Sequence, residues 1–371
     1  MSTEFSKKYL IFSLYFYAKV YTLTNILKPL QTPFHMVLFP QKEVVFMKDF
    51  TVKSCVYSSA YGCDRLALSD DGLHIRDVVI HAGIGQEIMI GFLSDLHYNF
   101  CNQRDLDEGD PVIISTLEHR RWLANGASVP TARKCLEFLD DADQIILGGD
   151  TLDYLSHGAM ELMQREIWDK YPGIIATVGG HELARKMQGT VDDPLPRELL
   201  IATVRQFWKH DIYYTAKLIK DNVLVVGLMN DLSRFNEDQY QKLAADISLA
   251  REKGYILLLF AHEPIATHDP AHKHITGSDV IMVGDPCAFP GNYCDGHTAG
   301  GEFSDAPTKA MYELITNSAD VVKGFFSGHV HSHMYLEIAA KLPDGTPTVI
   351  PQYIHTATAY QGGHLMRILV R

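Results

Sequence analysis

Apolar and polar positions change rhythm along the chain. Between about Phe46 and Ile88, short apolar runs are broken by Tyr61-Gly62 and by Asp70-Asp71-Gly72. Turn residues between such runs predict β-hairpins leading into a main sheet. Beyond Ile88, short apolar runs alternate with amphipathic stretches, which predicts a layered α/β domain. Tyr240, Leu243, Ala244 and Ile247 fall at helical spacing, with Asn236 and Gln239 placed for a capping box and Gly254 for the stop. Leu200, Val204, Phe207 and Trp208 mark a second helical stripe soon after Pro194 and Pro196. Stripes of this kind are packing surfaces.

Five apolar runs end alike. Glu87–Ser94 stops at Asp95, Gln144–Leu147 passes Gly148-Gly149 to Asp150, and Ile174–Val178 passes Gly179-Gly180 to His181. Tyr255–Phe260 stops one residue before His262, and Gly324–Ser327 passes Gly328 to His329. Open α/β folds bind ligands beyond the carboxyl ends of their strands. One polar ending is chance; five with the same chemistry predict one shared site. Asp95-x-His97 and His329-x-His331 each place two donors side by side. Two carboxylates and four imidazoles suit Zn, Fe, Mn or Co rather than Ca, and are too many donors for one four-coordinate ion with an open position. They suit two ions sharing a carboxylate.

Composition narrows the partners. The chain has 371 residues, and 33 Lys and Arg against 45 Asp and Glu give a net charge of −12. That balance argues against a bulk grip on nucleic acid or anionic membrane, though a metal ion can still invert the field locally for a phosphate ligand. Six cysteines without a C-x-x-C predict neither a disulfide framework nor a cysteine zinc site. Lys7 and Lys8 ahead of the apolar run Tyr9–Ala18 resemble a signal or anchor, but Phe16 is a poor residue before a cleavage site and the run is too short to span a bilayer. Residues 1–45 are therefore expected to be an N-terminal extension and 46–371 the catalytic domain. Membrane contact is expected only through that extension, and the cytoplasm is favoured over an exported location. Residues 265–320, rich in Gly, Pro and His (His268, His272, His274, His297), read equally as a substrate-covering insertion or a plain surface loop.

As an ordered whole, Asp95-x-His97, Gly149-Asp150-x-x-Asp153, Gly179-Gly180-His181-Glu182, His262 and Gly328-His329-x-His331 resemble the calcineurin-like metallophosphoesterase superfamily from about Ile88 to the C-terminus. The resemblance implies a four-layer α/β/β/α sandwich with two metal ions, divalent or trivalent, Mn, Fe or Zn foremost. It implies that Asp95, His97, Asp150 and His331 hold one ion, and that Asp150 as the bridge, His262 and His329 hold the other. A metal-activated hydroxide would attack the phosphorus of a phosphate ester, and His181 would protonate the leaving group. Asp153 and Glu182 would orient these groups. One position departs from the family: Gly180 stands where a metal-binding Asn is usual. This opens a second reading, a catalytically impaired scaffold or binding protein. It also raises the question whether Asn99, in the loop after the first motif, supplies the missing amide.

Overall fold

The computed structural model describes residues 50–371 apart from 60–61, 70–71, 121–122, 124–125, 186–194, 231–233, 267–282, 285–304, 332 and 360–361. For residues 50–67, 266, 283 and 284 it describes the backbone alone. The expected N-terminal extension, with its signal-like run, and residues 267–282 and 285–304 of the insertion, which carry its four histidines, lie outside the described residues. Among the described residues, no helix is long and apolar enough to cross a membrane.

Two mixed sheets form the body. The first joins β1 (Phe50–Ser59), β2 (Gly62–Ser69), β3 (His74–Ile80), β4 (Ile88–Leu93), β5 (Gln144–Leu147), β6 (Ile175–Ala176) and β15 (His364–Val370), in the order β1-β2-β3-β15-β4-β5-β6. The second joins β7 (Tyr214–Ile219), β8 (Val223–Leu228), β9 (Ile256–Ala261), β12 (Val322–Ser327), β13 (Met334–Lys341) and β14 (Pro347–Ile354), in the order β13-β14-β12-β9-β8-β7. A two-residue parallel pair, β10 (Ile265–Ala266) with β11 (Val283–Gly284), stands apart. The predicted hairpins are present: β1 pairs antiparallel with β2, and β2 with β3.

Three apolar clusters define the layers. Ile88, Ile90, Phe92, Ile146 and Ile368 of the first sheet meet Val223, Val225, Leu258, Phe260 and Phe326 of the second, so the sheets pack face to face. On the outer face of the first sheet, Leu93, Leu147 and Leu365 pack against α3 (Val129–Phe138), α4 (His157–Met163) and α5 (Arg197–Phe207). On the outer face of the second, Leu257, Leu259 and Phe325 pack against α6 (Glu237–Lys253) and α7 (Ala306–Thr316). The molecule is thus an α/β/β/α sandwich. The run Ile256–Ala261 is buried at every position because its alternate residues serve two different cores. Two further helices, α1 (Gln103–Glu108) and α2 (Pro111–His119), follow β4.

Local signals explain the helix ends. Asn236 accepts the Gln239 N–H at 2.9 Å while the Gln239 side chain accepts the Asn236 N–H, and Gly254 closes α6 at φ 75°. Trp208 follows α5 in extended geometry, and its indole meets Trp168 edge to face.

Candidate metal centre

The parallel strands deliver their last residues to one place. Gly148 N–H donates to Leu93 O at 2.7 Å, Asp95 N–H to Gly149 O at 3.0 Å, His97 N–H to Asp150 O at 2.9 Å, and Gly328 N–H to His262 O at 3.0 Å. The chain reverses sharply just beyond each ladder. Asp95, His97, Asp150, His329 and His331 all take left-handed backbone, with φ between 47° and 67°. Such a conformation costs a residue with a Cβ about 1–2 kcal/mol. Among the described residues only two other non-glycine positions share it, Lys220 and Asp221 in the turn between β7 and β8. Strain gathered on five chemically alike residues marks a functional cluster.

Glycines give those reversals room. A Cβ on Gly179 would strike the Asp150 carboxylate and lie 2.9 Å from the His262 ring. One on Gly149 would come within 2.7 Å of His262 Nδ1, and one on Gly328 would strike Ser94 Oγ and Asp95 Oδ2.

Two donor groups result. In the first, Asp95 Oδ1 is 3.0 Å from His331 Nε2 and 3.8 Å from His97 Nε2, and the two imidazole nitrogens are 3.3 Å apart. In the second, Asp150 Oδ2 is 3.0 Å from His262 Nε2, which is 3.2 Å from His329 Nδ1. Asp150 also groups with His97 and His181, so it stands between the two sets. Each set could hold an ion. Nitrogen donors sharing a tetrahedral ion at about 2.0–2.1 Å sit about 3.3 Å apart, which the His–His contacts match. The donor chemistry fits divalent metal ions. The side chains of His181 and His331 remain 18% and 31% exposed, so both reach the open side.

Buried partners fix the donors. His262 Nδ1–H donates to Gly148 O at 2.8 Å, which turns Nε2 to the site. Ser94 Oγ–H donates to Asp95 Oδ2 at 2.6 Å, and His329 N–H reaches the same oxygen at 3.1 Å. The Glu182 carboxylate accepts the N–H groups of Asp150, Leu152 and Gly179 at 3.0, 2.9 and 2.7 Å, tying two strand ends together. The Asp153 carboxylate lies 3.0 Å from His97 Nδ1, and its backbone carbonyl accepts His181 Nδ1–H at 2.6 Å. Asp153 thus contacts His97 and His181, and Glu182 the backbone of Asp150, Leu152 and Gly179.

Electrostatics follow from burial and neighbours. Burial opposes the ionised carboxylates of Asp95 and Asp150, but His331 beside the first and His262 beside the second hold both below the ordinary range. Burial and the Asp150 charge push Glu182 up to about 7. Burial would lower His181, yet Asp150 and Asp153 raise it above the usual imidazole value.

Gly180 and Asn99, singled out from the sequence, can be placed. Gly180 adopts φ −65° and ψ −35° at the head of the turn His181–Leu183, an ordinary helical conformation. Asn99 does not replace the missing amide: its Nδ2 donates to Asp153 Oδ2 at 2.7 Å and its Oδ1 accepts from Tyr154. His333 and His355 lie beside His364 and His74 in a separate cluster, where His333 Nε2 is 3.3 Å from His364 Nδ1. Arg120, bound to Asp153, belongs to the site although no motif signals it. Its only trace in sequence is a cation at a helix end.

No family model matches the sequence, and no curated protein does. Solved structures resemble the chain, among them the following two. A dimetal phosphatase from Danio rerio is 13% identical over 73% of this chain and 87% of that one, with a TM-score of 0.38. A protein described as a 5'-nucleotidase from Staphylococcus aureus is 14% identical over 74% of this chain and 56% of that one, with a TM-score of 0.32.

Proposed function

We propose that the chain is a metal-dependent phosphoric ester hydrolase of the calcineurin-like metallophosphoesterase type. The observation that carries this reading is the pair of donor groups meeting at Asp150, with His181 Nε2 3.8 Å from Asp150 Oδ2. Asp95, His97, Asp150 and His331 would hold one ion; Asp150, His262 and His329 the other. Bound there, two ions would lower the pKa of a water and draw charge from a phosphoryl group. The remaining work falls to the chain itself. His181 gives its Nδ1–H to the Asp153 carbonyl, which aims Nε2 away from the backbone. From Nε2, His181 protonates the departing oxygen. Glu182 holds the Asp150 and Gly179 loops at fixed separation, so the bridging carboxylate and the acid keep their spacing.

The substrate class is a phosphate ester. Gly180 favours a second reading, a binding protein with the second ion weakly held or lost. Hydrolysis of p-nitrophenyl phosphate with added Mn²⁺, repeated in excess chelator, separates the two. The hydrolase reading requires activity that chelator removes and metal restores; a binding protein gives none under either condition.

A further inference from the structure

Asp153 is a junction. Its buried carboxylate contacts His97 Nδ1 at 3.0 Å and accepts Asn99 Nδ2–H at 2.7 Å. The cation that meets it is Arg120, whose Nη2 donates to Oδ1 at 2.6 Å and whose Nε lies 3.1 and 3.2 Å from the two oxygens. We propose that Arg120 is a positioning residue: it fixes the Asp153 carboxylate so that His97 presents Nε2 to the first donor group and the Asp153 main chain receives His181. The kinetic half of this proposal rests on the hydrolase reading above; the metal-binding half rests on the donor geometry alone.

The placement of Arg120 suits the role. It caps α2, with its N–H on Thr116 O at 3.0 Å. That helix is pinned to the segment after His181 at two points. Thr116 Oγ1 contacts Arg185 O at 3.2 Å, and the Arg185 guanidinium pairs with Asp110, the N-cap of α2. The helix is therefore a strut between the His181 turn and Asp153. A guanidinium fork sets the plane of a carboxylate, which an ammonium cannot do. A carboxylate in a fixed plane in turn sets the tautomer and aim of the imidazole it touches. Only 14% of the Arg120 side chain is exposed, so its donors are directed inward.

Arg120→Met and Arg120→Lys in the full chain test this. Calorimetric Mn²⁺ titration should show the ion at Asp95, His97 and His331 weakened about 10–100-fold in Arg120→Met. Arg120→Lys should recover part of the loss, because charge returns without the fork. In kinetics, kcat for phenyl phosphate should fall more than kcat for p-nitrophenyl phosphate, with KM little changed. Unchanged Mn²⁺ affinity in both variants would overturn the proposal. So would a loss confined to KM, which would make Arg120 a substrate contact. Should Arg120→Met not fold, Arg120→Lys alone decides by the same two readouts. If the native chain hydrolyses neither ester while the metal affinities separate as stated, the positioning role stands and the hydrolase reading falls.

Discussion

Gly180 offers the sharpest test at the scale of single residues. Its backbone lies in the ordinary helical region, so Gly180→Asn needs no positive-φ strain. The substitution should tighten the ion at Asp150, His262 and His329 by at least about 10-fold, since lesser perturbations of metal sites cost 10–100-fold. Calorimetric titration of both proteins reads this directly, and equal affinity would mean that the site needs no amide. His181→Ala should keep its metal but lose turnover, with the loss smaller for p-nitrophenyl phosphate than for phenyl phosphate because a good leaving group needs little protonation. Equal losses on the two esters would remove His181 from the acid's role. Much of this scale was legible in the sequence. Each of the six expected donors ends an apolar run or follows such an ending by two residues, and metal chemistry needs those residue types. The left-handed backbone at Asp95 and His331 was not legible, because nothing but a glycine announces positive φ. Nor was Arg120, whose partner Asp153 is 33 positions away.

Among the elements, the glycine-bearing strand ends matter most. Gly179→Ala leaves β6 intact but drives a methyl into the Asp150 carboxylate. The protein should stay folded by circular dichroism while its metal affinity drops; native affinity would show that the loop yields freely. A second element stores charge. After α4 the helix widens into a π-turn, Gln164–Trp168, which carries Glu166 with its side chain fully buried. Arg133 first, then Lys170 and Arg165, hold its carboxyl below the ordinary range by hydrogen bonds. A depressed carboxyl contributes stability above its unfolded pKa, about 4.3, and loses it as pH falls through the folded value. Glu166→Gln should therefore lower Tm at pH 7, and the difference should shrink below about pH 4. An equal Tm difference at pH 7 and pH 3 would place the effect in packing rather than charge. The helix stripes and caps around Asn236 could be read in advance, because periodicity and capping are local. The π-turn could not, because one extra residue per turn hardly disturbs an apolar stripe.

For the whole molecule, face-to-face packing of two sheets is what brings distant donors together. Asp95 and Asp150 leave the first sheet, His262 and His329 the second, and His331 lies two residues beyond His329. The α/β character was readable from alternating runs and helices. The four layers came from the motif resemblance, because burial on both faces of a strand such as Ile256–Ala261 does not reveal which core lies on which side. A net charge of −12 disfavours polyanion binding in general, and at this site it is cations held by the four imidazoles and two carboxylates that would invert the field locally for a phosphate. The most direct measurement is a Mn²⁺ titration of the chelator-stripped protein, native and Asp150→Asn, followed by hydrolysis of p-nitrophenyl phosphate. The account predicts no hydrolysis before metal, a rate that rises to saturation in the native protein, and none at any Mn²⁺ concentration in the folded Asp150→Asn variant. Full activity in excess chelator, or native activity without the Asp150 carboxylate, would contradict it.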